Sequence, residues 1–334
     1  MSLLVGRPVS VAAAVAAALG ALLPGTASAH GRAIEALTPA RALTSWSLQP
    51  AALLALAVAG ALYLAAVRRV DRAHPAHRVP RRRTAAWLAG LAVVGFALSS
   101  FVDVYADDLF SVHKVQHLLL SMVAPPLLLM GAPLTLLLRV STPARRQRWI
   151  LPALGSQLVR VLTAPLVGWL VFAAVMWGSH FSPLFDAALE DDAVHAAEHG
   201  LFLAAGLLFW LPVGGVDPSP HRMGHAARIG YLLLSLPQNS FLGLAIFSAP
   251  AVLYPHYASL QRAWGPTPLE DQQLAGGIMW AAGDLLFLVP LLFLVVAWFR
   301  AEEEKGRLHD ERLDRERAAR TAHDAGEAGQ RAPG

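Results

Sequence analysis

The sequence predicts an all-α integral membrane protein with seven transmembrane helices, and three observations carry that reading. Only 15% of the 334 residues are charged and 55% are hydrophobic, far from the roughly one quarter charged of soluble domains. Seven apolar stretches are long enough to cross a hydrocarbon core of about 30 Å, which takes about 20 helical residues. These stretches are continuous and aliphatic rather than alternating, which leaves helices as the spanning structure. They cover residues 50–67, 84–102, 112–138, 161–179, 194–213, 229–249 and 276–299. Little chain lies outside them, so a single membrane domain over 30–300 is expected, followed by a charged tail over 301–334.

Residues 1–29 precede the first span. Arg7, an apolar core over 9–23 and Ala27-Ser28-Ala29 form the charge, core and small-residue site of a secretory signal peptide. An uncleaved anchor is the alternative. Cleavage after Ala29 would place His30 at the mature N-terminus, where an α-amine beside an imidazole can chelate copper; an incidental terminal histidine is the competing reading.

Charge in the connecting loops sets the orientation. Arg68, Arg69, Arg72, Arg78, Arg81, Arg82 and Arg83 lie between the first two spans. Arg139, Arg145, Arg146, Arg148 and Arg160 lie between the third and fourth, and Arg222 and Arg228 follow the fifth. The alternate segments hold only Arg32, Arg41, Arg262 and Lys114. By the positive-inside rule the arginine-rich loops are cytoplasmic, with the N-terminus outside and the C-terminal tail inside.

That orientation sorts the histidines. His113 and His117 open the third span, His180 closes the fourth, His195 and His199 open the fifth, and all five fall toward the outer side. His113/His117 and His195/His199 each have i,i+4 spacing, which puts both imidazoles on one helical face. Ionisable groups in spans are costly and usually functional, so one layer of imidazoles from three helices points to a metal. A purely hydrogen-bonded histidine layer is the bland alternative.

Neutral imidazole suits copper, zinc, iron and nickel. The chain has no cysteine, which excludes thiolate zinc and iron–sulfur sites. Met176 lies four residues before His180 and could add a thioether for Cu(I), while Met122 and Met279 are placed similarly. Methionines in spans are also ordinary gap-fillers. His195-Ala-Ala-Glu198-His199 matches the H-x-x-E-H zinc-peptidase pattern, but leaves His113 and His117 unused, so Glu198 is better read as a partner to an imidazole or as a proton carrier. Asp284 stands alone in the seventh span, either as an ion or proton site or as an acceptor from a neighbouring helix. Gln238 and Asn239 can be read the same two ways. Pro125, Pro126 and Pro133 are expected to kink the third span.

Two competing uses of the same histidines are a membrane di-iron enzyme and a haem b electron-transfer protein. A metal permease would need polar groups through the full depth, where Asp284 is nearly alone.

Several blocks resemble a known family. His113-Lys-Val-Gln-His117-Leu-Leu-Leu, the run from Ala124 to Pro133 (Ala-Pro-Pro-Leu-Leu-Leu-Met-Gly-Ala-Pro), and Trp177-Gly-Ser-His180-Phe-Ser-Pro-Leu-Phe-Asp186 are similar to CtaG, the assembly factors of caa3-type cytochrome c oxidase. The His195/His199 segment, Leu253-Tyr-Pro-His256-Tyr, and the run from Asp271 to Trp280 fit the same order. The resemblance runs from the first span to the last and omits the signal-like segment and the tail. It implies a seven-helix plasma-membrane protein that matures a haem–copper oxidase by supplying copper. The implied partners are an oxidase subunit and the lipid bilayer, with no nucleic acid and no catalysis of its own. The expected copper ligands are His113, His117, His195 and His199, with His180 and Met176 as auxiliary donors.

Overall fold

The computed structural model describes residues 35–214 and 216–330. The signal-like segment 1–29 and His30 lie outside the described residues. Those described are helical, with no strand among them. The long helices are α1 (Pro50–Ala73), α2 (Arg81–Ser99), α3 (Phe110–Val140), α4 (Pro165–His180), α5 (Asp192–Gly214), α6 (His225–Phe247) and α7 (Pro268–Arg317). The chain continues as helix beyond α7 to Gln330. Five of them, α1, α3, α5, α6 and α7, are long and apolar enough to cross a membrane. The remaining two expected spans take a different form. α2 has 19 residues but opens on three arginines. α4 has 16 residues and reaches span length only together with the helix Leu184–Glu190, to which it is bent by 65°.

Local chemistry explains where the boundaries differ from the sequence reading. α2 stops at Ser99 rather than at 102 because Ser100 is extended (φ −89°, ψ −171°) and its Oγ accepts the Val102 N–H at 3.2 Å, starting the short helix Phe101–Ala106. α4 starts at Pro165 rather than at 161: a proline has no N–H to donate and suits a first helical turn, so the helix Gln157–Leu162 is separate. α3 bends as its prolines require. The clash of a proline ring with the carbonyl four residues earlier is relieved by a π turn at Leu119–Val123, just before Pro125-Pro126. A second break falls at Ala132, whose φ of 50° is left-handed, immediately before Pro133. The expected charged tail extends α7 with i,i+3 and i,i+4 ion pairs such as Lys305–Glu302 (2.8 Å) and Arg307–Glu311 (2.7 Å).

Packing brings α3, α4 and α5 together. Glycines let the backbones approach: a methyl group at Gly206 on α5 would collide with the Ser121 carbonyl of α3, and one at Gly168 on α4 would lie 2.7 Å from the Leu208 carbonyl of α5. α6 and α7 close in the same way at Gly243 and Gly276. Asp284 acts between these two helices, accepting from Asn239 Nδ2 (2.9 Å) and Ser240 Oγ (2.6 Å). The outward faces carry exposed Leu54, Leu166, Phe241, Leu292 and Phe293, as expected of helices whose solvent is lipid.

Beside the helix bundle, Asp103 ties the segment before α1 to α3: Ser47 Oγ, Gln49 Nε2 (3.1 Å) and Gln116 Nε2 (3.1 Å) all donate to its carboxylate. Burial raises its pKa to about 6, opposed by the Ser47 hydroxyl and reinforced by Asp107. A folded-state pKa above the unfolded value of about 3.9 means that protonation favours the folded state, and that this contribution is lost as pH rises through about 6. The melting temperature of the wild type relative to Asp103→Asn should therefore rise between pH 7 and pH 5. A pH-independent difference would contradict it.

Candidate metal centre

His113 and His117 lie one turn apart on α3 and are almost wholly enclosed, at 0% and 3% exposure. Their Nε2 atoms are 2.8 Å apart. α5 faces them with Glu198, whose Oε2 lies 4.0 Å from His113 Nε2 and 3.7 Å from His117 Nε2. His195 stacks on His113 (ring centroids 5.4 Å apart), and His199 meets His117 edge-on at 6.4 Å. His180 of α4 stands 6.1 Å from His117, centroid to centroid. The five histidines expected to form one layer are thus brought together. Met176 is buried one turn before His180 on α4.

Hydrogen bonds fix the tautomers. The Tyr257 hydroxyl donates to the Ala106 carbonyl at 2.7 Å and lies 3.2 Å from His113 Nδ1. Its one hydrogen is thereby used, so His113 Nδ1–H donates to it and His113 Nε2 presents a lone pair. His180 is arranged likewise: Nδ1 lies 2.6 Å from the Met176 carbonyl, which only accepts, so Nε2 is the acceptor for Lys114 Nζ at 2.7 Å. His180 thus has both ring nitrogens engaged, whereas His117 Nδ1, His199 Nε2 and both Glu198 oxygens are buried without a hydrogen-bond partner.

The mutual distances of the facing donor atoms test whether a metal fits. Ligands about 2.0 Å from one ion are about 2.8 Å apart at a right angle and about 4 Å apart when opposite. The three pairs among His113 Nε2, His117 Nε2 and Glu198 Oε2 measure 2.8, 3.7 and 4.0 Å. All three atoms belong to one group able to hold an ion. Two imidazoles and a carboxylate suit a first-row transition metal.

The family profile of the cytochrome c oxidase caa3 assembly factor (Caa3_CtaG) matches residues 61–301. The chain belongs to the CtaG family. The match takes in every residue of the centre. The chain is 33% identical over 287 residues to uncharacterized proteins of Mycobacterium bovis and Mycobacterium tuberculosis, covering 83% of this chain and 43% of theirs. A protein of Mycobacterium leprae is 31% identical over 264 residues, 77% of this chain and 40% of its own. The chain therefore spans less than half the length of these curated relatives. No solved structure matches it.

The conformation of this CtaG-family chain gives work to residues that sequence reasoning left without a role. Asp271, in the first turn of α7, accepts from the Phe110 N–H (2.6 Å), the Ser111 N–H (3.4 Å) and the Ser111 hydroxyl (2.5 Å), capping α3 three residues ahead of His113. Its neighbour Gln272 accepts from the Leu253 N–H (2.7 Å) and donates to the Ala251 carbonyl (3.1 Å), holding the loop that supplies Tyr257. Lys114, counted in the sequence as an outer-side charge, is 1% exposed and sits over the Phe110 and Phe185 rings at 4.4 Å. His256 stays apart from the cluster, its Nε2–H donating to the Asp107 carbonyl at 3.0 Å.

Tyr257 is a positioning residue in this arrangement. Tyr257→Phe removes the acceptor that keeps the His113 proton on Nδ1, so metal affinity should fall by about 10–100-fold. A competition titration with a chromogenic chelator checks this; unchanged affinity would show that the tautomer is set elsewhere.

Proposed function

We propose that this chain supports assembly of a haem–copper oxidase by holding copper as cargo between His113, His117 and Glu198. His195 and His199 complete the imidazole layer; His180, expected as an auxiliary donor, instead has both ring nitrogens engaged by Lys114 and the Met176 carbonyl and braces the layer from α4. The observation that supports this most is the set of mutual distances among three buried donor atoms in a member of an oxidase assembly factor family. In this reading α2 and the bent α4 pair also cross, giving seven spans. The arginine-rich loops lie in the cytoplasm, and the histidine layer faces the outer side of the plasma membrane. The chain does no covalent chemistry of its own: copper passes to an oxidase subunit by ligand exchange. Because His113 is fully enclosed, exchange proceeds by displacement of the segment carrying Tyr257, which is fastened by side-chain hydrogen bonds rather than by a span.

The test is the copper-to-haem ratio of oxidase isolated from cells carrying His113→Ala/His117→Ala in place of the wild type. The expected result is copper-deficient oxidase with normal haem, partly restored by added copper. Fully metallated oxidase would overturn the reading.

One observation favours a second reading. Two histidines and one carboxylate are also the donor set of non-haem iron oxygenases, which supports an iron enzyme using the same site. Iron in the purified protein, without copper, would select it. The haem b reading draws less support, because the imidazoles pack directly on one another and on Phe185 and Phe202.

A further inference from the structure

We infer that the chain contains a second, softer metal site formed by Met122, Met176 and Met279, adjoining the imidazole–carboxylate site through His117. It deepens the copper reading and rests on that reading only for the natural ion.

Three of the chain's six methionines line one small cavity, reached from α3, α4 and α7. All three are buried, at 3%, 6% and 3% exposure. Methionine normally fills irregular gaps, yet here three flexible side chains surround a space they leave open. Two of them sit in π turns: Met122 in Leu119–Val123 and Met279 in Ile278–Ala282. Such turns are rare, re-aim side chains out of the regular helical register and cluster at functional sites. The turn holding Met279 is pinned from α6, where Asn239 Nδ2 donates to the Met279 carbonyl at 3.0 Å.

The cavity wall also includes His117. Its Nε2 pairs with His113, while its buried Nδ1 has no hydrogen-bond partner. One imidazole therefore borders both sites.

The lining chemistry selects the ion. Thioethers are neutral, soft donors that favour Cu(I). No carboxylate lines this cavity, and Lys114 does; its ammonium repels a divalent ion about twice as strongly as a monovalent one. The neighbouring site, with Glu198, suits a divalent ion. The class of ligand is thus a soft monovalent cation, with Ag(I) as a redox-inert stand-in. The ion enters already monovalent, so no electron transfer is involved.

The experiment loads detergent-purified full-length protein with Ag(I) and measures silver retention together with silver-edge X-ray absorption. In parallel it loads Cu(II) and records the EPR spectrum. Wild type is expected to retain silver with sulfur neighbours. Met122→Leu/Met176→Leu/Met279→Leu, nearly volume-conserving, should lose that silver while keeping a Cu(II) signal with imidazole nitrogen couplings. His113→Ala/Glu198→Gln should do the reverse. Silver without sulfur neighbours, or silver unchanged in the leucine variant, would overturn the inference. Loss of silver in His113→Ala/Glu198→Gln would overturn it too, by making the methionines part of one shared site. Sulfur-bound silver in a protein that binds no Cu(II) would sustain the methionine site and defeat the imidazole one.

Discussion

Alanine at both His113 and His117 is expected to abolish copper binding, with affinity falling by more than about 100-fold. Losing a group that merely orients a ligand costs about 10–100-fold, and this variant removes two of the three donors whose spacing matches a single ion. No nearby group substitutes easily. His180 has its nitrogens committed to Lys114 and the Met176 carbonyl, and the His199 ring lies 6.4 Å from that of His117. The change also removes ring packing, since His117 stacks on Phe202 at 4.0 Å. Glu198→Gln, which keeps the side-chain volume, therefore accompanies it and should weaken divalent copper binding without loss of folded protein. Wild-type affinity in both variants would remove the ligands assigned here.

Lys114→Leu is expected to destabilise the site from within. The Lys114 ammonium is enclosed, donates to His180 Nε2 at 2.7 Å and interacts electrostatically with Glu198. Removing it strips His180 of its donor and takes away a positive charge that acts on the buried Glu198 carboxylate without touching it. Leaving a buried acceptor without its donor typically costs about 1–3 kcal/mol, and the longer-range attraction to Glu198 is lost with it. Lys114→Leu/Glu198→Gln should recover the part of that loss that comes from the charge on Glu198, but not the part that comes from His180. The two single variants and the double, measured by denaturant or thermal unfolding in one detergent, form the cycle that checks this. Additive losses would show that Lys114 and Glu198 act independently.

Much of this site was legible in the sequence because its signals are local. The i,i+4 histidine doublets fixed which imidazoles share a helix face, and loop charge placed His180 and both doublets at one level. The missing pieces depend on tertiary contact. Lys114 looked like a cation at a helix start, since hydropathy cannot show that the short helix Phe101–Ala106, Phe185 and Tyr257 close over that end of α3. Asp271 and Gln272 belonged to a recognisable motif, but a cap supplied from a helix some 160 residues away leaves no local pattern. Glu198 was seen as an imidazole partner, whereas its position among the donor atoms depends on how closely α5 approaches α3, which Gly206 permits. The prolines announced a distortion in α3, though not that a π turn would carry Met122 to the same cavity as Met279. Two expected spans differ because an apolar run records composition only: Pro165 shortens α4, and three arginines open α2.

Copper held by the histidines and Glu198 is read most directly from the metal content and spectrum of protein purified from copper-replete membranes. Elemental analysis, visible absorption and EPR would be read on one sample. Close to stoichiometric copper is expected, with EPR couplings from imidazole nitrogen in the oxidised sample and no Soret band. No copper even after loading, or iron in its place, would contradict it.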